Sequence, residues 1–137
     1  MKTILIILST FFTLNTLAEI KPHNVVIHVD SRGLKTQKLA MNAADNLNFL
    51  YGKDNVNVEV VACGPGINML KADTKFYSKR IKRMIRDGIR FSSGLDYTDK
   101  QELENRHIEF IPGVVEIQGC LMRIVALQEN GYNYMKP

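Results

Sequence analysis

The two cysteines, Cys63 and Cys120, are the residues of this 137-residue chain best suited to nucleophilic chemistry. The reactive form is the thiolate, so what lowers the thiol pKa decides whether either is used. Cys63 ends the β-branched run Val56-Asn57-Val58-Glu59-Val60-Val61-Ala62 and precedes Gly64-Pro65-Gly66-Ile67. Bare backbone at Gly64, Pro65 and Gly66 could approach a ligand or an anion there. Cys120 follows Gly119 where a helical pattern begins. The unpaired N–H groups and partial positive charge of a helix N-terminus would favour its thiolate. Ser93 follows another strand-like run, Ile89-Arg90-Phe91-Ser92, and stands at a comparable position.

Other chemistries find less support. Gly64-Pro65-Gly66 lacks the glycine spacing and the lysine of a phosphate loop, which argues against a nucleotide site. No cofactor is expected. Two cysteines do not make a metal framework by themselves, and His107 with Glu104 or Glu109 is too local a group to act as a metal or acid–base site. No serine or cysteine is embedded in a recognised hydrolase motif. His28 lies inside Val25-Val26-Ile27-His28-Val29 and reads as a packed core histidine.

The first eighteen residues bear on the cysteines. Lys2 gives a positive start, Ile4 to Leu8 and Phe11 to Leu17 an interrupted apolar core, and Thr16-Leu17-Ala18 the small residues of a cleavage site. This pattern predicts a signal peptide cut between Ala18 and Glu19 rather than an uncleaved membrane anchor. Its apolar run is too short and broken for a span of about 20 residues. The mature chain is expected in the periplasm or outside the cell, with no stable membrane span. There, Cys63 and Cys120 could form a disulfide, within or between chains, or stay as two buried thiols. The formal charge of +4 falls to +3 without Lys2, too mild a balance for a nucleic-acid partner.

The elements that must position these residues alternate between strand and helix. Val25 to Val29 is a buried strand ending at Asp30-Ser31-Arg32-Gly33. Lys35 to Tyr51 has Leu39, Ala43, Leu47 and Leu50 at helical spacing, closed by Gly52. The strand ending at Cys63 follows, then a helix over Phe76 to Asp87 with Tyr77, Ile81, Met84 and Ile85 inward. Ile89 to Gly94 is a third strand. Thr98 and Gln101 form a capping box for a short helix over 99–105, and 106–112 is a linker or an extra extended segment. Val114 to Gln118 is the fourth strand, Gly119 to Asn130 a helix, and Tyr132 to Met135 a last short strand. Alternation of this kind predicts a single-domain three-layer α/β/α sandwich over residues 19–137, with a mainly parallel sheet of about five strands. The strands would deliver Cys63, Ser93 and Cys120 to one edge, the carboxyl edge where such sheets bind ligands.

The chain resembles the DsrE/DsrF-like family of sulfur-relay α/β proteins. The resemblance is carried by Val25 to Val29, by Val60-Val61-Ala62-Cys63-Gly64-Pro65-Gly66-Ile67, by Gly88-Ile89-Arg90-Phe91, and by Gly113 to Ile117 with Leu127-Gln128-Glu129-Asn130-Gly131-Tyr132 to Pro137. It implies a compact parallel sheet and assembly into homo-trimers or hexamers. It also implies a persulfide-bearing cysteine just after strand three. Here Ser93 stands at that position, and a hydroxyl cannot carry a persulfide.

Two functions compete on these grounds. One is a thiol-based sulfur-transfer or redox protein of the cell envelope, using Cys63 or Cys120 on a small sulfur compound or a protein thiol. The other is a non-catalytic oligomeric module that binds a ligand or partner at the same edge. A third use, docking on anionic lipid through Lys79, Arg80, Lys82, Arg83 and Arg86, would be strongly salt-dependent.

Overall fold

The computed structural model describes residues 21–95 and 108–137. The expected signal peptide, the short helix over 99–105, Glu104 and His107 lie outside those residues. Five strands form one sheet: β1 (His23–Val29), β2 (Val56–Cys63), β3 (Arg90–Leu95), β4 (Val115–Gln118) and β5 (Asn133–Met135). Their spatial order is β4-β3-β2-β1-β5, and every pairing is parallel. The helices are α1 (Leu34–Tyr51), α2 (Ser78–Arg86) and α3 (Cys120–Glu129), with a 3-10 segment over Gly64–Leu70.

The topology explains the layers. From β1 to β4 the chain steps outward in one direction, then returns to lay β5 against the other side of β1. Right-handed crossovers put outward and return connections on opposite faces. One face accordingly buries Ala40, Met41 and Ala44 of α1, Met69 and Leu70 of the 3-10 segment, and Ile81 and Met84 of α2 against Ile27, Val60 and Phe91. The other face buries Ile124 and Leu127 of α3 against Val26 and Val61. Strands covered on both faces are buried along their length, as Val25 to Val29 of β1 and Val58 to Cys63 of β2 are, and nearly all of those residues are apolar.

One local expectation changes, and one open alternative is decided. The buried stripe of α1 is Gln37, Ala40, Met41 and Ala44, with Ala43 and Leu47 beside it, while Leu39 and Leu50 are exposed. Small side chains let the helix axis approach the sheet, so alanines rather than leucines face it. The segment before β4 is partly extended: Phe110 forms an antiparallel bridge with Lys71, and Ile111 N–H donates to the Leu70 carbonyl. On α2, Arg80 and Arg83 both reach Asp45 of α1, at 2.8 and 2.9 Å, and Arg83 also pairs with Asp87. Part of that basic surface is therefore neutralised within the fold. Among the described residues no helix is long and apolar enough to cross a membrane.

Candidate functional site

Cys63 and Cys120 meet at the carboxyl edge of the sheet, where they are joined by a disulfide with their Cα atoms 5.6 Å apart. That spacing is ordinary for the bond. Cys63 is the last residue of β2 and pairs with Gly94 of β3. Cys120 is the first residue of α3, after Gly119. Gly94 makes the meeting possible: a Cβ there would lie 2.5 Å from the Cys120 Cα. The first turn of α3 rests directly on the backbone of β3, and any side chain at residue 94 would lift it.

His28 completes the group. It occupies the same sheet face as Val26, two residues further along β1, since alternate strand residues share a face. A ring nitrogen of His28 and the two sulfurs all lie within 4.8 Å of one another. Its Nδ1 hydrogen-bonds the Tyr134 hydroxyl of β5 at 2.8 Å. Burial is nearly complete, with exposures of 8% for His28, 5% for Cys63 and 0% for Cys120. Just beyond β1 and β5, Asp30 and Lys136 pair at 2.6 Å. That hydrogen bond, helped by the lysine charge, holds the Asp30 carboxyl below its usual range.

A buried carboxylate lies behind the sulfurs on the same face. Glu59 of β2 is 2% exposed. Arg123 of α3 donates to both of its oxygens, at 2.9 and 2.7 Å, and the Ser92 hydroxyl donates at 2.6 Å. Arg90 stands 3.5 Å away. Burial alone would push the Glu59 pKa up. The hydrogen bonds from Arg123 and Ser92, with the charges of Arg123 and Arg90, outweigh it and hold the pKa below the ordinary value. This fork ties the second turn of α3 to the sheet centre and fixes the helix that carries Cys120.

The other residues singled out from the sequence divide. Ser93 pairs with Ala62 and so faces the α1 and α2 side, away from the disulfide. It is buried, and its hydroxyl has no hydrogen-bond partner among the described residues. Gly64, Pro65 and Gly66 start the 3-10 segment. A Cβ on Gly66 would overlap the Val29 carbonyl oxygen, so the close approach at that glycine is to β1. Gly119 is the residue before α3 and is half-buried. From the sequence alone His28 reads as a core residue, and nothing local marks Tyr134 or Arg123 as part of the site. A signal exists for His28, because it is the next-to-last residue of a buried strand, close to the carboxyl edge that takes the cysteines.

No family model matches the chain, and no curated protein matches it. Among solved structures, the protein of unknown function MTH1491 from Methanobacterium thermoautotrophicum superimposes with a TM-score of 0.70 at 24% sequence identity, over 84% of this chain and 99% of that one. The two chains share one architecture, a parallel α/β sandwich.

Proposed function

We propose that this chain is an exported thiol–disulfide protein, related to the sulfur-relay family it resembles, whose Cys63–Cys120 pair exchanges electrons with a dithiol partner. The observation that carries this reading is the histidine beside the bond: a ring nitrogen of His28 within 4.8 Å of both sulfurs. An inert cross-link has no use for a titratable ring there.

A partner thiolate attacks Cys63, the less buried of the two residues. The Cys63–Cys120 bond breaks, a mixed disulfide forms on Cys63, and Cys120 departs as a thiolate at the N-terminus of α3, where the helix stabilises it. The partner's second thiol then displaces Cys63. The partner leaves as a disulfide, two electrons pass to the pair, and both sulfurs take up protons. His28 is placed to deliver one of them.

A second reading treats the bond as a staple in an oligomeric binding module. It is favoured by the outer face of α3, where Leu121, Met122 and Val125 are 61%, 75% and 53% exposed. Adjacent apolar side chains of this kind commonly mark an interface. Trapping thiols with an alkylating reagent in the native compartment, followed by mass spectrometry, tests the choice. A substantial alkylated fraction at Cys63 and Cys120 supports exchange. A fully oxidised pair that resists dithiols in the native protein overturns it in favour of the staple.

A further inference from the structure

We infer that the reduced form of the Cys63–Cys120 pair, together with His28, is a three-coordinate site for a soft monovalent cation, Cu(I). The inference rests on the bond being reducible in the folded protein, and it adds a ligand that thiol exchange does not require.

Two cysteines alone fall short of a metal framework, and the fold supplies the third donor. His28 comes from β1, Cys63 from β2 and Cys120 from α3, and their donor atoms lie within 4.8 Å of one another. Around a three-coordinate ion with bonds of about 2.0–2.3 Å, donors stand roughly 3.5–4 Å apart. Reduction lets the sulfurs separate to that distance by side-chain rotation, with their Cα atoms 5.6 Å apart in the bonded form.

The second coordination sphere is also present. A histidine bound to a metal through one nitrogen commonly donates its other ring N–H to a neighbour, which fixes the ring and raises its basicity. Tyr134 is that neighbour, 2.8 Å from Nδ1, and the metal would be taken by Nε2. The α3 N-terminus supports the Cys120 thiolate as a ligand, as it supports it as a leaving group.

Ligand type and burial choose the metal. Two thiolates and an imidazole are a soft donor set, which suits Cu(I) and Zn(II). Zn(II) favours a fourth ligand, usually water in an open position. With exposures of 8%, 5% and 0% for the three ligands, the site leaves little room for a water as fourth ligand, and low coordination favours Cu(I). Binding requires the two thiols to lose their protons. The ion then sits as Cu(I) on two thiolates and one neutral imidazole, with no change in its oxidation state.

The test uses the full mature chain, reduced with a phosphine and freed of reductant without oxygen. Thiol titration under native conditions comes first, then Cu(I) is added in competition with a chromophoric Cu(I) chelator. The expected result is two thiols and one Cu(I) per chain, with ultraviolet copper–thiolate absorption and no binding by the oxidised protein. His28→Ala should weaken binding more than tenfold, and Tyr134→Phe, at a half-exposed residue the fold tolerates, by about tenfold. Circular dichroism confirms that each variant is folded. Two thiols with no Cu(I) bound, or unchanged affinity in both variants, overturns the metal site and leaves thiol exchange standing. Tighter Zn(II) than Cu(I) binding overturns the choice of cation. A folded protein that yields no thiols overturns the exchange reading and the site together.

Discussion

Breaking the Cys63–Cys120 bond in the folded protein is the perturbation that separates an exchange centre from a staple, and its size can be worked out. The bond joins residues 57 apart in sequence. Restricting an unfolded chain over a loop of that length stabilises the native state by about 4 kcal/mol. A passive cross-link passes nearly all of that to the oxidised protein. In an exchange centre the reduced native state recovers part of it. The Cys120 thiolate at the first turn of α3 gains up to about 1 kcal/mol from the helix terminus. A charge-assisted hydrogen bond between a thiolate and His28 contributes about 2 kcal/mol more. The expected gap between oxidised and reduced protein is therefore about 1–2 kcal/mol. Urea unfolding followed by far-ultraviolet circular dichroism, at one mildly alkaline pH with and without a phosphine, measures it. With a slope of about 1–2 kcal/mol per molar urea, the midpoint should fall by roughly 1 M. In His28→Ala the gap should widen by about 2 kcal/mol, because the reduced state has lost its support. A gap of about 4 kcal/mol in the wild type, unchanged in His28→Ala, refutes the reasoning and makes the bond a staple.

Three further outcomes follow from the same face of the sheet. Glu59→Gln should cost about 2 kcal/mol in urea unfolding, because Arg123 is left partly buried against a neutral amide. The Glu59 pKa is lowered by folding, so its contribution is present above the unfolded carboxylate value and is lost as pH falls through the lower folded value. An acid-titration series should show wild type losing that increment below about pH 4 and Glu59→Gln lacking that part of the loss. Gly94→Ala should destabilise the fold by about 2–3 kcal/mol, since a Cβ would collide with the Cys120 backbone; refolding from the reduced state should also re-form the bond more slowly, and an unchanged rate counts against α3 resting on β3. Tyr134→Phe should cost about 1 kcal/mol by removing the hydrogen bond to His28, and no measurable change would mean that the hydroxyl does not hold the ring.

The architecture was legible because a parallel sheet covered on both faces leaves a plain record. Val25 to Val29 and Val58 to Ala62 are buried runs that the alternating pattern of a half-exposed strand could not produce. The inward face of α1 was harder to read. Leucines dominate an apolar count, yet close approach to the sheet selects Ala40 and Ala44, and Leu39 and Leu50 end outside. That Cys63 and Cys120 share an edge follows from all strands running parallel. That they touch does not, because it depends on the absent side chain at Gly94 and on the register that sets Gly94 opposite Cys63.

The charges beneath α3 show where a local reading stops. Glu59 stands between Val58 and Val60 in a central strand, and an acid in such a run must be paired or protonated. The sequence therefore announces that a partner exists. It cannot say which, because Arg123 is 64 residues away on an element that crosses the far face of the sheet. His28 poses the same problem with less warning, since many kinds of neighbour can satisfy an imidazole in a core, and the one that meets Nδ1 is Tyr134 on β5. Both pairings arise from one topological event, the return of the chain across the second face to place β5 beside β1. That return brings α3 over Glu59 and Cys63 and brings Tyr134 to His28. The candidate site is assembled by the last crossover of the fold, from residues whose neighbours in sequence belong to ordinary core.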